Sequence, residues 1–151
     1  MATVDYFLKI DGLQDEIHVQ SFSWGATQSG SSGGGGAGKV SMQDFHFSMP
    51  VNKASPALFL ACAQGDHIKS ATLTCRKAGK KPVEPVEFMK VTMTVVFVSS
   101  FQIGGTAGVV PTDQISLNFE KIEVEYKEQD ATGKLAGSVK KSFDLKTGKG
   151  G

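Results

Sequence analysis

The stretch that most suggests chemistry is glycine-rich. Gly33-Gly34-Gly35-Gly36-Ala37-Gly38-Lys39 fits G-x-x-x-x-G-K, the pattern that opens nucleotide-binding P-loops. A P-loop continues with Ser or Thr as a magnesium ligand and then opens a helix, whereas Val40 follows here. Beyond it Phe45, Phe47 and Met49 alternate as on a half-buried strand. We therefore predict no nucleotide cofactor, and a loop from Gly25 to Lys39 that is either disordered or held by another molecule.

The thiols and imidazoles form no recognisable site. Cys62 and Cys75 are the only cysteines, and each lies among apolar residues, so both are expected to behave as small buried hydrophobes. His18, His46 and His67 are far apart and lack metal-ligand spacing. The sequence predicts no metal site and no cofactor.

Serine chemistry is equally unsupported. A nucleophilic Ser23 or Ser55 would need a paired base, and neither lies in a nucleophile-elbow context. We predict no catalytic residues and no enzymatic activity.

Composition narrows the class further. The chain has 151 residues, 40% of them hydrophobic, and a formal net charge of +1, which is ordinary for a soluble globular domain and lacks the basic excess of nucleic-acid binders. No stretch resembles a signal peptide or a membrane span. We expect a protein that starts in the cytoplasm, without a membrane anchor and without nucleic acid as a partner.

Hydrophobic alternation predicts about seven strands. The second of them, Ile17 to Trp24, changes phase near Gln20-Ser21, which predicts a bulge and leaves Ser21 and Ser23 on the face opposite Phe22 and Trp24. The fifth strand, Val86 to Phe101, is apolar on both faces in its second half. Its outward side is either a candidate subunit interface or a surface covered by the helix. A second phase slip lies between Phe119 and Ile122.

One short helix completes the set of elements. Ser55 is predicted as its N-cap, Pro56 as its first residue and Gly65 as its end. Leu58, Phe59, Ala61 and Cys62 form the stripe by which it should dock. The fold class is mainly β, a small antiparallel β-barrel of about seven strands with one short lateral α-helix, in one domain over residues 1–146 with a flexible C-terminal tail at 147–151.

An ordered series of short motifs resembles the Hcp family, the tube protein of the bacterial type VI secretion system. The resemblance covers residues 5 to about 145. Its motifs are Tyr6-Phe-Leu-Lys-Ile-Asp-Gly12, Glu16-Ile17, Ser21-Phe-Ser-Trp-Gly25, Gln28-Ser-Gly30, Gly33 to Val40, Gln43-Asp44, Ser55-Pro56, Arg76-Lys-Ala-Gly79 and Val98-Ser-Ser100. The connection from Gly12 to Glu16 is short, where many relatives carry a longer acidic insert.

The resemblance implies six copies in a ring with a wide channel, and rings stacked into a tube that a contracting sheath drives into a target cell. It implies as partners the chain itself, the sheath, the VgrG spike, the baseplate and effector proteins in the lumen, with secretion through the type VI apparatus.

Three groups of site residues follow from the resemblance together with the patterns above. Ser21 and Ser23 are predicted to face the lumen and its cargo, and Thr94, Val96 and Val98 to form the lateral ring interface. The predicted ring-stacking loop comprises Gly25, Gln28, Ser29, Gly30, Gly33, Gly34, Gly35, Gly36, Ala37, Gly38 and Lys39.

The alternative from another class is a small barrel that carries an apolar ligand. It requires a roomy interior, whereas Phe22, Trp24, Phe45, Phe47, Phe97 and Phe119 are enough to fill a barrel of this size.

Overall fold

The computed structural model describes residues 3–29, 39–77, 86–129 and 135–151. Eleven strands and one helix follow one another in these ranges: β1 (Val4–Ile10), β2 (Ile17–Val19), β3 (Ser21–Ser23), β4 (Ala26–Gln28), β5 (Val40–Met42), β6 (Phe45–Pro50), α1 (Ser55–Gln64), β7 (His67–Lys77), β8 (Val86–Gly104), β9 (Thr112–Gln129), β10 (Leu135–Asp144) and β11 (Lys149–Gly150). All pairings are antiparallel. The predicted mainly β class with one short helix is confirmed. The strands are more numerous than predicted, and β8, with 19 residues, extends beyond the predicted strand Val86 to Phe101.

The main sheet curls back towards its own beginning. It has nine strands, in the order β11-β10-β9-β8-β7-β1-β2, with β6 on β9 and β3 on β6. Residues 17–23 pair with strands at both ends of the curled sheet, because β2 pairs with β1 and β3 pairs with β6. Between these strands Gln20 donates its N–H to the Ser48 carbonyl at 2.8 Å. The sheet is thus barrel-like without a fully closed ladder. The phase change predicted at Gln20-Ser21 is present, but as a change of partner strand rather than a bulge.

Alternating residues of the curled sheet fill its interior. The largest side chains with less than 2% exposure are Phe45, Leu8, Ile10, Met49, Leu58, Leu73, Met93, Leu117, Val91, Val96, Asp113 and Cys75. Phe22 and Trp24 are half-buried and pack against this core. The Phe22 ring lies 5.9 Å from Phe45, in a stacked arrangement. The predicted aromatic filling of the interior is confirmed for Phe22, Trp24, Phe45, Phe47 and Phe119. It is wrong for Phe97, which is half-buried and lies outside the core cluster.

The two longest strands change their buried face at the same level. Burial passes from Met93 to Val96 on β8 and from Ile122 to Phe119 on β9. Val95 lies between, outside the ladder, with φ +52°, a conformation that β-branched residues rarely adopt. Bends of this kind let a sheet turn around its core. The slip predicted on β9 is confirmed, and its counterpart on β8 was not predicted.

The bend overturns part of the predicted lateral interface. Val96 is 0% exposed and Val98 is 2% exposed, so both belong to the core rather than to an outward face. The prediction counted alternation through Val95, and the phase change there moves both valines inward. Thr94 precedes the bend and stays half-buried on the other face, opposite Lys121 of β9 and Ser70 of β7.

Helix α1 begins one residue earlier than predicted. Ala54 is the N-cap and Ser55 is already helical, so the predicted capping role of Ser55 is wrong. Its hydroxyl instead donates to the buried Asp113 carboxylate. The predicted end is confirmed, because Gly65 takes φ +69° and donates its N–H to the carbonyls of Ala61 and Cys62.

Only part of the predicted helical stripe is buried. Leu58 is 2% exposed, and Ala61 and Cys62 pack against the core. Phe59 is 56% exposed, with its ring 5.9 Å from that of Phe101 on β8. The helix is anchored to the sheet, and Phe59 and Leu60 remain uncovered by the described residues.

The C-terminus differs from the predicted flexible tail at 147–151. Residues Lys149–Gly150 form β11 and pair with Phe143 and Asp144. Gly148, at φ +71°, allows the tight turn, and Ser142 donates its N–H to the Gly151 carbonyl at 2.7 Å. The tail contains no apolar residues, so its sequence offers no reason to expect an ordered segment there. Its order comes from backbone hydrogen bonds to the edge of β10.

Candidate functional site

Four neighbouring strands share a face of polar side chains that points away from the core. In the order β3, β6, β9, β8, one cross-strand row is Ser21, Ser48, Gln114, Gln102, and the next is Ser23, His46, Ser116, Ser100. We call these side chains the serine face. Most of them line an open groove of about 480 Å³. The sequence therefore places a hydroxyl- and amide-rich surface directly behind the aromatic core.

Four of the eight side chains of the serine face form hydrogen bonds with one another. The hydroxyls of Ser21 and Ser48 lie 2.5 Å apart, and that of Ser116 lies 2.5 Å from Ser100. Ser99, next to the face, donates to Asp44 at 2.6 Å and lies 2.7 Å from Ser116. These bonds fix the side chains, link β3 to β6 and β8 to β9, and tie β8 to Asp44, which precedes β6.

The other half is available to a second molecule. Within the described part of the chain, the side chains of Ser23, His46, Gln102 and Gln114 have no hydrogen-bond partner. The face holds no Lys, Arg, Asp or Glu, and the Asp44 carboxylate beside it also accepts from the Asn118 amide at 2.9 Å. Such a surface offers neutral hydrogen bonds and no strong field.

The geometry supplies no activated nucleophile among the described residues. His46 lies beside Ser23 in the register without a side-chain hydrogen bond to it, so the base is not in place. Ser55 is bonded to a buried carboxylate with no histidine. Burial raises the pKa of the Cys75 thiol to about 11, which keeps it protonated near neutral pH. In the same ranges no three His, Cys, Asp or Glu side chains converge as metal ligands.

The predicted loop from Gly25 to Lys39 begins and ends as a two-stranded ribbon. β4 and β5 pair with each other and with no other described strand, in the register Ala26–Met42, Thr27–Ser41 and Gln28–Val40. Ala26, Thr27 and Gln28 are exposed. Lys39 leads into a strand rather than a helix, which confirms that the P-loop context is missing.

The predicted stacking residues fall partly on this ribbon. Gln28 lies in β4, Gly25 precedes it, and Ser29 donates its hydroxyl to the Lys39 carbonyl at 3.2 Å. The rest of the predicted set, namely Gly30, Gly33, Gly34, Gly35, Gly36, Ala37 and Gly38, lies outside the described residues.

A second surface lies where β8 turns into β9. An open hollow of about 450 Å³, which we call the tip hollow, is lined by Gln102, Ile103, Gly104, Gly105, Thr106, Val109, Val110, Thr112 and Gln114. Ile103, Val109 and Val110 are 58%, 67% and 64% exposed. Gln102 and Gln114 belong to both the hollow and the serine face. The hollow thus extends the neutral face with an apolar rim.

The structure brings together residues that sequence reasoning treated separately or missed. Ser21 and Ser23 are exposed as predicted, and they join His46, Gln102 and Gln114, which were not predicted. The signal that could have found the glutamines is their alternation with apolar residues on β8 and β9. Val109 and Val110 were not predicted either; the only signal in the sequence is that they form an apolar pair after a glycine-rich turn.

No helix in the described ranges has the length and apolarity needed to cross a bilayer.

A family profile described as "Type VI secretion system effector, Hcp" matches residues 8–126. Protein hcp1 of Pseudomonas aeruginosa strain PAO1 is 40% identical over 110 residues, which cover 72% of this chain and 67% of that protein.

Solved structures agree over nearly the whole chain. A type six secretion system protein superposes with a TM-score of 0.87 at 27% identity, covering 99% of this chain and 100% of the other. Hcp1 of Salmonella typhimurium superposes with a TM-score of 0.79 at 32% identity, covering 99% of both chains.

Proposed function

Since the chain belongs to the Hcp family of secreted type VI tube proteins, we propose that six copies form a ring with a wide channel and that rings stack into the injected tube. It is a type VI secretion tube subunit. In the finer proposal it is made in the cytoplasm without a signal peptide and exported through the type VI apparatus. Its proposed partners are copies of itself, the sheath, the VgrG spike, the baseplate and effector proteins.

One observation supports self-assembly above the others: large apolar side chains are exposed at three separate places. They are Phe59 and Leu60 on α1, Tyr126 and Val139 on β9 and β10, and Ile103, Val109 and Val110 around the tip hollow. Ring closure joins two different surfaces of each copy, and stacking requires further surfaces. Each lateral contact has to bury above ~1,000 Å². Thr94 is kept in the proposed lateral contact, without Val96 and Val98.

The direct test is particle mass. Native mass spectrometry of the purified chain should give six times 16.0 kDa, and negative-stain images should show annular particles. A strictly monomeric protein at high concentration would refute the ring. A monomer with a bound apolar molecule would support the carrier alternative, which the filled interior disfavours.

We propose that Ser21 and Ser23 line the channel together with the rest of the serine face. The serines of this face leave room for a passenger protein, and its neutral side chains bind the passenger weakly enough for release. The proposed role involves no catalysis, because the face has no nucleophile paired with a base among the described residues.

Replacing Ser23 with Gln should lower passenger retention and leave the rings intact. Ser23 is exposed, and a longer amide there would protrude into the space that a passenger needs. The measurement is the amount of co-expressed effector that co-purifies per ring, at unchanged ring mass. Ser41→Gln, on the exposed side of the ribbon, is the matched control. Dispersed rings from Ser23→Gln would show that this face is a subunit contact instead.

We propose that the glycine-rich arm between β4 and β5 contacts the neighbouring ring. Ordering such a segment costs roughly 1–2 kcal/mol per residue, which limits net affinity and keeps stacking reversible. Deleting Gly33 to Gly36 should leave ring mass unchanged and shorten the tubes seen by electron microscopy. Tubes of normal length from the deletion variant would argue against a stacking role for the arm.

A further inference from the structure

We propose that His46 determines the chemical class of passenger that the channel holds, by setting the charge of the serine face. With a neutral imidazole the face binds uncharged polar surfaces. With a protonated imidazole it binds passengers whose surface is acidic. The inference rests on the proposed ring, in which the serine face lines the channel, and it adds what the passenger surface must carry.

The position of His46 places its ring in front of a passenger. His46 lies on β6, between Ser23 of β3 and Ser116 of β9. Its side chain is exposed and lines the open groove of about 480 Å³. Phe45 and Phe47, its neighbours along the strand, point to the other side of the sheet and are buried. The imidazole is therefore part of the surface that a bound molecule would touch.

The imidazole is also free to bind. Within the described part of the chain, its side chain has no hydrogen-bond partner. The hydroxyls of Ser48 and Ser116 are bonded to those of Ser21 and Ser100 instead. A neutral imidazole offers one donor and one acceptor, and a protonated imidazole offers two donors and a positive charge. Both ring nitrogens of His46 can thus serve a second molecule.

The surroundings of His46 contain one charged group, the carboxylate of Asp44. β3, β8 and β9 contribute no charged residue to the serine face. Asp44 lies two residues before His46 and accepts from Ser99 at 2.6 Å and from Asn118 at 2.9 Å. It forms no ion pair with His46 in the described ranges. Protonation therefore adds a positive charge to a face that otherwise has none.

The proposed ring multiplies this charge. Imidazole is the side chain that gains a proton between about pH 8 and about pH 5. Six copies place six imidazoles around one channel, and a cleft lined by charge of one sign attracts ligands of the opposite sign. As the pH falls, an acidic passenger is attracted and a basic passenger is repelled. Salt weakens both effects, since the Debye length is about 8 Å at physiological ionic strength.

The experiment measures peptide binding to purified rings in low salt, at about pH 7.5 and about pH 5.5. The probes are three fluorescent peptides of equal length, rich in aspartate, in serine and in lysine. Aspartate and lysine side chains keep their charges at both pH values. Fluorescence anisotropy should show the aspartate peptide binding at least ~5-fold more tightly at the lower pH. The lysine peptide should bind more weakly there, and the serine peptide should bind equally at both.

Two substitutions separate the imidazole from the rest of the protein. His46→Asn keeps a polar, neutral side chain and should remove the pH dependence of aspartate-peptide binding. His46→Lys is charged at both pH values, so at the higher pH it should bind the aspartate peptide as tightly as the unmodified ring does at the lower pH. Full pH dependence in His46→Asn would overturn the proposal, as would equal binding of the aspartate peptide to the unmodified ring at both pH values.

His67→Asn is the matched control. His67 is also exposed, but it lies at the start of β7, outside the serine face, with its ring 5.9 Å from that of Phe97. This variant should keep the full pH dependence, and its loss would contradict the assignment to His46. Native mass is measured for every sample. Absence of rings in the unmodified protein would refute the proposed function, whereas rings of normal mass with pH-independent binding would refute only the role of His46.

Discussion

Val96→Asp should yield no folded protein. Val96 is 0% exposed and lies opposite Phe119, another core residue. Losing its burial costs about 1.5–3 kcal/mol, and an unpaired carboxylate in the core costs several more. The sum is comparable with the whole stability of an ordinary domain, about 5–15 kcal/mol.

The control for this substitution is Thr94→Asp, on the same strand. Thr94 is half-buried on the opposite face, beside Lys121, so a carboxylate there should change the free energy of unfolding by about 1 kcal/mol or less. Circular dichroism and urea titration distinguish the two. A folded, monomeric Val96→Asp protein would restore Val96 to the lateral interface and contradict the bend at Val95.

Ser55→Ala should destabilise the protein by about 3 kcal/mol. Asp113 is 0% exposed; its Oδ2 accepts from the Ser55 hydroxyl, and its Oδ1 has no partner among the described residues. The Ser55 oxygen also accepts the Asn52 N–H at 3.0 Å. Removing the hydroxyl leaves a buried carboxylate without its hydrogen bond and loosens the start of α1.

A double-mutant cycle isolates this pair. The double variant Asp113→Leu/Ser55→Ala should lose less free energy of unfolding than the sum of the two single variants. In the Ser55→Ala variant the buried carboxylate is left without its hydrogen bond, and the double variant no longer contains that carboxylate. Ser23→Ala, at an exposed serine without a described partner, should stay within about 0.5 kcal/mol. Urea unfolding gives the free energies. Additive effects, or a Ser55→Ala cost as small as the control, would show that the pair does not anchor the helix.

Much of the architecture was predictable from local pattern. Cys75 is buried as predicted, and the phase slip near Gln20 lies where the chain changes partner strand, although a bulge was predicted there. Gly65 correctly indicated the end of the helix. These features depend on residues close in sequence, and their physical causes, period and backbone conformation, are local.

The bend in β8 was not predictable in the same way. Val95, Val96, Phe97 and Val98 are all apolar, so alternation loses its phase there and either face could be the inner one. Only the pairing with β9, where burial shifts from Ile122 to Phe119, decides which valines enter the core. The error in the predicted lateral interface arose at this point.

The candidate site, like the fold, was predictable from the sequence only in part. The exposure of Ser21 and Ser23 followed from their alternation with aromatic residues, whereas the serine face needs Gln114 of β9 and Gln102 of β8 in register beside them. The buried Ser55–Asp113 bond joins residues 58 positions apart. The periodicity of a sequence cannot predict a contact between residues so far apart along the chain.

The sequence by itself determined a β-rich chain with one short helix, outward serines after the first phase slip, a glycine-rich segment without a P-loop context, and the resemblance to a secreted tube protein. The tertiary structure alone decided which valines are core, which polar residues share one neutral face, and that the ribbon and the tip hollow lie at opposite ends of that face. The physical reason is that alternation assigns side chains to two sides of a strand, but only cross-strand pairing and burial decide which side is inside and which distant residues become neighbours.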